Sequence, residues 1–358
     1  MDSELSNEMI MEIISRSSLK TLDIMRCASN ELNALTYESY LLDLYKKRNE
    51  IISGFLIQNV KSGWLYIQEF APSPESRSLD LGFLPYNARI LATSEQGIIV
   101  FQNRDYADFS FKDLYHVCKP TTKQVLALPN PEGRYTPRKF AIVVMSLKSL
   151  HYKIIRFCDH HVLKRWGEFY TTYRCDIFDS TTWEWRSLNQ VNLPYGVFLT
   201  NPQPITKSGS IYMLLTNNDI LKFDAYSERW KVFSSPIPYD QFDTSMPLME
   251  LVKYGGRLGL ACKLPNSNGR WEIWVLTMGQ MWEKIYVCKK KEGVAAEREW
   301  ESLMALYDSD TSVMANRDTI LFYRFKQEGD TMISKVVLND IPYQIFTFRS
   351  DFEPIDLV

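Results

Sequence analysis

Phe178-Asp179-Ser180-Thr181-Thr182-Trp183-Glu184-Trp185 is the stretch that decides the fold. An apolar run ends in Phe, an Asp and small hydroxyl residues supply a tight turn, and the next run opens on Trp. The phrase returns as Phe223-Asp224-Ala225-Tyr226-Ser227-Glu228-Arg229-Trp230. With Pro in place of Asp it is Lys119-Pro120-Thr121-Thr122-Lys123-Gln124-Val125, and a looser version closes at Leu276–Trp282. Outward from these phrases, runs rich in Val, Ile, Tyr, Phe and Trp fill residues 64–70, 98–102, 114–119, 140–147, 173–178, 211–215, 220–223, 258–263, 271–276 and 320–325. Pro129-Asn130-Pro131, Asn217-Asn218-Asp219 and residues 266–269 punctuate them. No helical stretch of 10–15 residues separates these runs, which argues against a parallel α/β sheet.

The phrases recur at a spacing of roughly fifty residues, a kelch-like period. A single strand–turn–strand sheet cannot bury both of its faces, and stacking such sheets around an axis solves that problem. Residues 51–358 therefore read as a kelch-like β-propeller of about six blades, with seven also compatible. A pair of β-sandwiches is the competing architecture. The propeller reading predicts that Trp183 or Trp185, Trp230, and Trp274 or Trp282 pack at like places between blades. It also predicts that residues 345–348 lie beside the first strand, because a ring must bring its ends together.

Residues 1–50 read differently. Met9 and Ile13, Ile10 and Ile14, Leu22 and Met25, and Ala28, Leu32 and Leu35 recur at helical spacing. Ser6 and Asn7 suit a helix start, Glu8 its positive end, and Lys46-Lys47-Arg48 the C-terminal end of a helix from Tyr37. Three short helices cannot build a large core. Such a module is either a cap on the larger body or a docking device.

With 358 residues, 45% of them hydrophobic, the chain can bury a substantial core. Aromatics at 13% favour sheet over helix bundle. A net charge of −2 carries no basic surplus that would advertise nucleic acid or an anionic membrane. No apolar run of membrane-spanning length occurs, and the acidic N-terminus is unlike a signal peptide. The six cysteines form no metal or disulfide framework and read as reduced thiols of a cytoplasmic or nuclear protein.

Catalytic and cofactor motifs are missing: there is no Gly-x-Ser-x-Gly, P-loop, His-Glu-x-x-His or Gly-x-Gly-x-x-Gly. Cys158-Asp159-His160-His161 gathers four potential ligands, but without a second cluster it reads as a polar loop. Only four histidines are available for acid–base work. No catalytic residue, metal site or cofactor is assigned. The charge-dense stretch from Lys289 to Glu299 reads as a solvated loop on the propeller rim.

Two resemblances then give the modules a meaning. Leu5, Glu8, Met9, Glu12, Ile13, Ile14, Arg16, Leu22, Arg26, Cys27 and Leu35 fall in register on the plant-type F-box pattern. Ser6 stands at its helix-starting Pro, Ser17-Ser18 at its Leu-Pro, and Ala28, Asn30 and Leu32 at its Val, Lys and Trp, so the motif is degenerate. Val117-Cys118-Lys119-Pro120-Thr121-Thr122 resembles the signature of plant F-box-associated domains, with Lys119 at the usual Asn. Residues 173–185, 209–230 and 251–282 continue that likeness. The resemblance implies a non-catalytic substrate-recognition subunit of a Skp–cullin–F-box ubiquitin ligase. Its partners would be a Skp-type adaptor, through it a cullin, and a target protein held by the propeller. The adaptor-docking residues it implies are Leu5, Met9, Ile13, Ile14, Leu22, Ile24 and Leu32. A stand-alone propeller scaffold is the alternative, and a propeller enzyme or lectin a third.

Overall fold

The computed structural model describes residues 5–17, 19–36, 38–48, 51–59, 64–68, 79–85, 88–104, 113–133, 135–146, 150–165, 167–200, 203–237, 248–263, 271–277, 281–287, 302–307, 311–316, 319–324, 331–338, 342–351 and 357. The charge-dense stretch at 289–299 lies outside the described residues. The chain begins with helices α1 (Asn7–Ile14), α2 (Leu19–Ala28), α3 (Asn30–Leu35) and α4 (Ser39–Arg48). Ser6 caps α1, its hydroxyl accepting from the Met9 amide at 3.3 Å, and Glu8 sits in the first turn. Met11, Ile14, Leu22, Leu35, Leu41 and Tyr45 form the core of this helical unit. Its tie to the body includes Tyr45, whose ring lies 5.6 Å from the Arg349 guanidinium.

Among the described residues after α4 the regular elements are strands, apart from one short 3₁₀ turn. Strands β1 (Ile51–Asn59) and β2 (Trp64–Gln68) come first. The first four-stranded blade holds β3 (Arg89–Thr93), β4 (Ile99–Arg104), β5 (Asp113–Lys119) and β6 (Gln124–Ala127). The second holds β7 (Pro137–Ser146), β8 (His151–Arg165), β9 (Glu168–Asp179) and β10 (Glu184–Ser187), with β11 (Val191–Pro194) added along β9. The third is β12 (Ile205–Lys207), β13 (Ser210–Leu214), β14 (Ile220–Asp224) and β15 (Arg229–Phe233). The fourth is β16 (Leu248–Tyr254), β17 (Arg257–Lys263), β18 (Trp271–Leu276) and β19 (Trp282–Val287). The fifth is β20 (Ser302–Tyr307), β21 (Thr311–Asn316), β22 (Thr319–Arg324) and β23 (Thr331–Val337). Finally β24 (Pro342–Asp351) returns to pair with β1.

The expected count of about six blades is corrected to five complete blades among the described residues. The sixth place in the ring is taken by a three-stranded sheet, β2-β1-β24, assembled from both ends of the body. The first strands of successive blades neighbour one another in order, β3, β7, β12, β16, β20, then β24 and back to β3, so the ring closes. An open sandwich has no such cycle. One apolar cluster fills each of the six junctions. For example, Ile155, Phe157 and Ile177 meet Ile211, Leu221 and Phe223 between the second and third blades. Ile52, Leu56 and Phe348 meet Ile90, Ile99 and Phe101 across the closure.

The repeated phrase turns out to be the turn between the third and fourth strands of a blade. Lys123, Trp183 and Glu228 all occupy its last position with left-handed φ of 56°, 57° and 55°. The Asp of the phrase makes this turn. Asp179 Oδ1 accepts from the Thr181 amide at 3.0 Å and hydroxyl at 2.7 Å. Asp224 Oδ1 accepts from the Ser227 amide at 2.8 Å and hydroxyl at 2.9 Å. In the first blade, Pro120 instead opens a short 3₁₀ turn, Pro120–Thr122.

The tryptophan alternatives are resolved by register. Trp185, Trp230 and Trp282 open fourth strands, opposite Phe178, Phe223 and Leu276. Trp185 Nε1 donates to the Pro129 carbonyl at 2.7 Å, reaching back toward the first blade, and Trp282 Nε1 donates to the Ser234 carbonyl at 3.2 Å beside the third. Trp230 stacks 4.3 Å from Phe223 and meets Phe157 of the second blade edge-on at 5.3 Å. Trp183 is a turn residue against Phe178, and Trp274 lies in a third strand.

Two outcomes follow for denaturant titrations. Trp230 is half-buried, so Trp230→Ala is expected to lose about 2–3 kcal/mol, below the range for a fully buried Trp. At Gly97, φ is +75° and an added Cβ would stand 2.2 Å from Ser350 Oγ and 2.8 Å from the Arg349 carbonyl. At Gly196, φ is +81° but the space is open. Gly97→Ala should therefore lose more than Gly196→Ala, by roughly 1–3 kcal/mol of overpacking.

Candidate functional site

The helical unit exposes apolar side chains on α1 and α2. Leu5, Met9 and Ile13 recur every four residues and are 50%, 53% and 51% exposed, and Ile24 of α2 is 51% exposed. Ile14 and Leu22 are each 1% exposed and belong to the unit's own core, while Leu32 packs partly against it. Of the seven residues predicted for docking, four thus stand on the surface and three hold the helices together. Sequence spacing alone could not separate these sets, because Ile13 and Ile14 are adjacent and both apolar. The helix packing that orients the face includes Glu12, which receives Arg48 at 2.9 Å and Arg16 at 2.8 Å. Hydrogen bonds from Arg48 first, then Arg16, hold the Glu12 carboxyl below its ordinary range.

A second surface lies on the propeller. The first strands surround a cavity of about 860 Å³ on the ring axis. Its wall includes Arg89 of β3, Arg138 and Lys139 of β7, Thr206 of β12, Glu250 and Lys253 of β16 and Gln344 of β24. Lys253 Nζ pairs with Glu95 at 2.5 Å, and Arg138 pairs with Asp159. Burial drives the Lys139 amine down to about 8, against the attraction of Glu250. Burial likewise raises the Glu250 carboxyl well above its ordinary range, against the pull of Lys139.

Beside the cavity, the β8–β9 hairpin and the turn after β11 carry an apolar patch that the sequence reading missed. Val162, Phe169 and Tyr195 are exposed, and the Phe169 and Tyr195 rings lie 5.8 Å apart. Lys164 Nζ stands 5.3 Å over Phe169. The patch runs along the same hairpin as His160 and Tyr173, which line the cavity. The signal available in the sequence was the length of the runs at 151–165 and 168–179.

Cys158-Asp159-His160-His161 is corrected from a polar loop to the middle of strand β8. Cys158 is buried, Asp159 engages Arg138, and His160 packs 4.8 Å from Phe198. Their side chains do not converge. Among the described residues no group of three or more His, Cys, Asp or Glu could hold a metal ion, and no helix is long and apolar enough to cross a membrane.

Comparison with known proteins bears on the propeller. The F-box associated beta propeller domain matches residues 72–336. An F-box protein of Arabidopsis thaliana is 28% identical over 172 residues, covering 44% of this chain and 89% of that protein. F-box only protein 6 of the same plant is 23% identical over 299 residues, covering 79% of this chain and 57% of that protein, so the chain spans little more than half of its length. Among solved structures, a functionally unknown protein of Desulfotomaculum acetoxidans aligns at 11% identity with a TM-score of 0.42, covering 81% and 82% of the two chains.

The division of the helical face is testable by stability alone. Ile14→Ala opens the helical core and is expected to lose about 2–5 kcal/mol from the unit. Met9→Glu with Ile13→Glu should change its stability by no more than about 0.5 kcal/mol per site. Amide exchange across residues 19–35 reads the difference.

Proposed function

The chain belongs to the F-box-associated β-propeller family, and from that premise we propose that it is the target-recognition subunit of a Skp–cullin–F-box ubiquitin ligase. The observation that carries this reading is the exposed face of Leu5, Met9, Ile13 and Ile24 on a small helical unit set before the propeller. Several exposed large apolar side chains on so small a unit are what a docking site needs. The helical unit, residues 1–50, is read as a degenerate F-box that meets the Skp-type adaptor through that face, and the adaptor connects it to the cullin. The propeller, residues 51–358, holds the target, with the apolar patch on the β8–β9 hairpin as its contact surface.

No bond is made or broken by this chain in that scheme. Its contribution is proximity: two contacts on one body convert an encounter between target and ubiquitin-charged enzyme into an intramolecular event, at the effective concentrations that short tethers give. Cys118, Cys158, Cys175 and Cys262 are free and buried. That fits a reducing compartment, the cytoplasm or nucleus.

A stand-alone scaffold is the second reading. It is favoured by Leu32, which occupies the place of the F-box Trp and contributes less anchoring surface. One full-length variant separates the two. Met9→Glu with Ile13→Glu should abolish co-purification with a Skp-type adaptor, because unpaired charge in an apolar interface is strongly unfavourable. It should also lengthen the half-life of proteins captured by the propeller without releasing them. Undiminished adaptor binding, or unchanged half-lives at equal abundance, would refute the ligase reading.

A further inference from the structure

We propose that the inward edge of β8 over residues 160–165 holds the target by strand addition, an extended segment of the target protein pairing with it as a further strand. The inference rests on the reading of the β8–β9 hairpin as the target-contact surface and names what that surface takes. β7 and β8 pair from Ser146↔His151 as far as Pro137↔Cys158, whereas β8 and β9 continue to Arg165↔Glu168. The stretch 160–165, roughly 20 Å of strand, therefore rises past the start of β7. Among the described residues no strand pairs with it on the side that β7 leaves. That side faces the ring axis, because β7 is a first strand and lines the axial cavity. Every second residue there turns its amide and carbonyl toward this edge.

The chemistry of the edge selects its occupant. Backbone donors and acceptors at strand spacing are met by another extended backbone, and not by a helix, whose own groups are bonded internally. The far side of the same extension is closed to that role. There β11 pairs along β9, is four residues long and ends in Pro194, and both shortness and proline blunt an edge. Side chains add specificity. Val162 and Lys164 share one face of β8 and stand opposite Thr171 and Phe169, and Val162 and Phe169 are exposed. Apolar residues at alternate positions of the added segment pack on Val162 and Phe169, and an acidic one beside Lys164 adds an opposite-charge pair. At the base of the edge His160 lines the axial cavity, so the segment is led toward that cavity. A second copy of the chain fits less well. It would set one His-His-Val-Leu-Lys-Arg run, which carries no acidic residue, against another.

The test uses the full chain and a displayed library of random peptides long enough to span the edge, the selected peptides then being synthesised with blocked ends. On the wild-type chain a bound peptide should slow amide exchange across residues 160–165, a readout that does not depend on any variant folding. N-methylation at one alternating set of peptide positions should abolish binding and at the other set should not, which is the mark of strand pairing. Val162→Glu with Lys164→Glu, both at exposed positions, should weaken the peptides about tenfold or more, while Lys231→Ala on the outer strand β15 should not. A library that yields no binder overturns the proposal, as do protection confined to another surface and indifference to the N-methyl pattern. So does self-association of the free chain that protects residues 160–165, which assigns the edge to a second copy. A wild-type chain that retains a Skp-type adaptor but binds no peptide along the edge refutes this proposal alone. One that binds peptide there but no adaptor refutes the ligase reading alone.

Discussion

The antiparallel pairing of β24 with β1 is the contact on which the rest of this structure depends. It joins Ile51–Asn59 to Pro342–Asp351 in an almost continuous ladder, and those segments lie at opposite ends of the body. Without it the first blade and the fifth would each expose an apolar face, and β1 would be an unprotected edge. The ladder converts five sheets in a row into a ring in which every face is covered. It is anchored laterally. Thr121 and Ser350 hydroxyls meet at 3.0 Å, and Thr93 Oγ1 donates to the Thr347 carbonyl at 3.3 Å, both linking the first blade to β24. Forming such long-range contacts requires closing a long loop, so the closure is entropically expensive and pairing must be extensive.

Within the ring, packing is mostly apolar, and the notable departure is a buried ion pair. Arg156 and Asp176 are 2% and 3% exposed and meet at 2.6 Å. Asp176 also accepts from Ser187 at 2.9 Å and from Arg174 at 3.2 Å, and Trp185 lies 5.7 Å from the Arg156 guanidinium. A buried charge is tolerated only when its oxygens are occupied in this way. The network sits where β8, β9 and β10 run side by side, and it holds the base of the hairpin whose far end carries the exposed apolar patch. Structure and proposed function are thus joined physically: a rigid base presents a projecting surface.

The two candidate surfaces differ in kind. The exposed side chains of the helical unit are apolar, suited to a constant partner that supplies a complementary apolar surface. The axial cavity is concave, and its wall mixes charged with apolar side chains. Both are supported from beneath, the first by the core around Ile14 and Leu22, the second by the closed ring itself.

The sequence by itself determined the local devices. Asp179 and Asp224 make the turns of their phrases through their own side chains, so those turns were readable without neighbours, whereas the choice between Trp183 and Trp185 was not. The start of α1 at Ser6 and the end of α4 at Arg48 were legible for the same reason. The F-box likeness, too, lay in the order of residues in short segments. Only the tertiary structure decided how many blades are complete, since that depends on which strands pair across the whole chain. It decided that Ile13 faces solvent and Ile14 the core, because the two differ only in the direction in which the helix packs. It turned Cys158–His161 from a loop into a strand, since β8 is extended by pairing with β7 and β9 rather than by its own propensity. And it brought Arg89, Lys139 and Glu250 to one cavity from three blades, a proximity created by closure of the ring and absent from any local stretch of the chain.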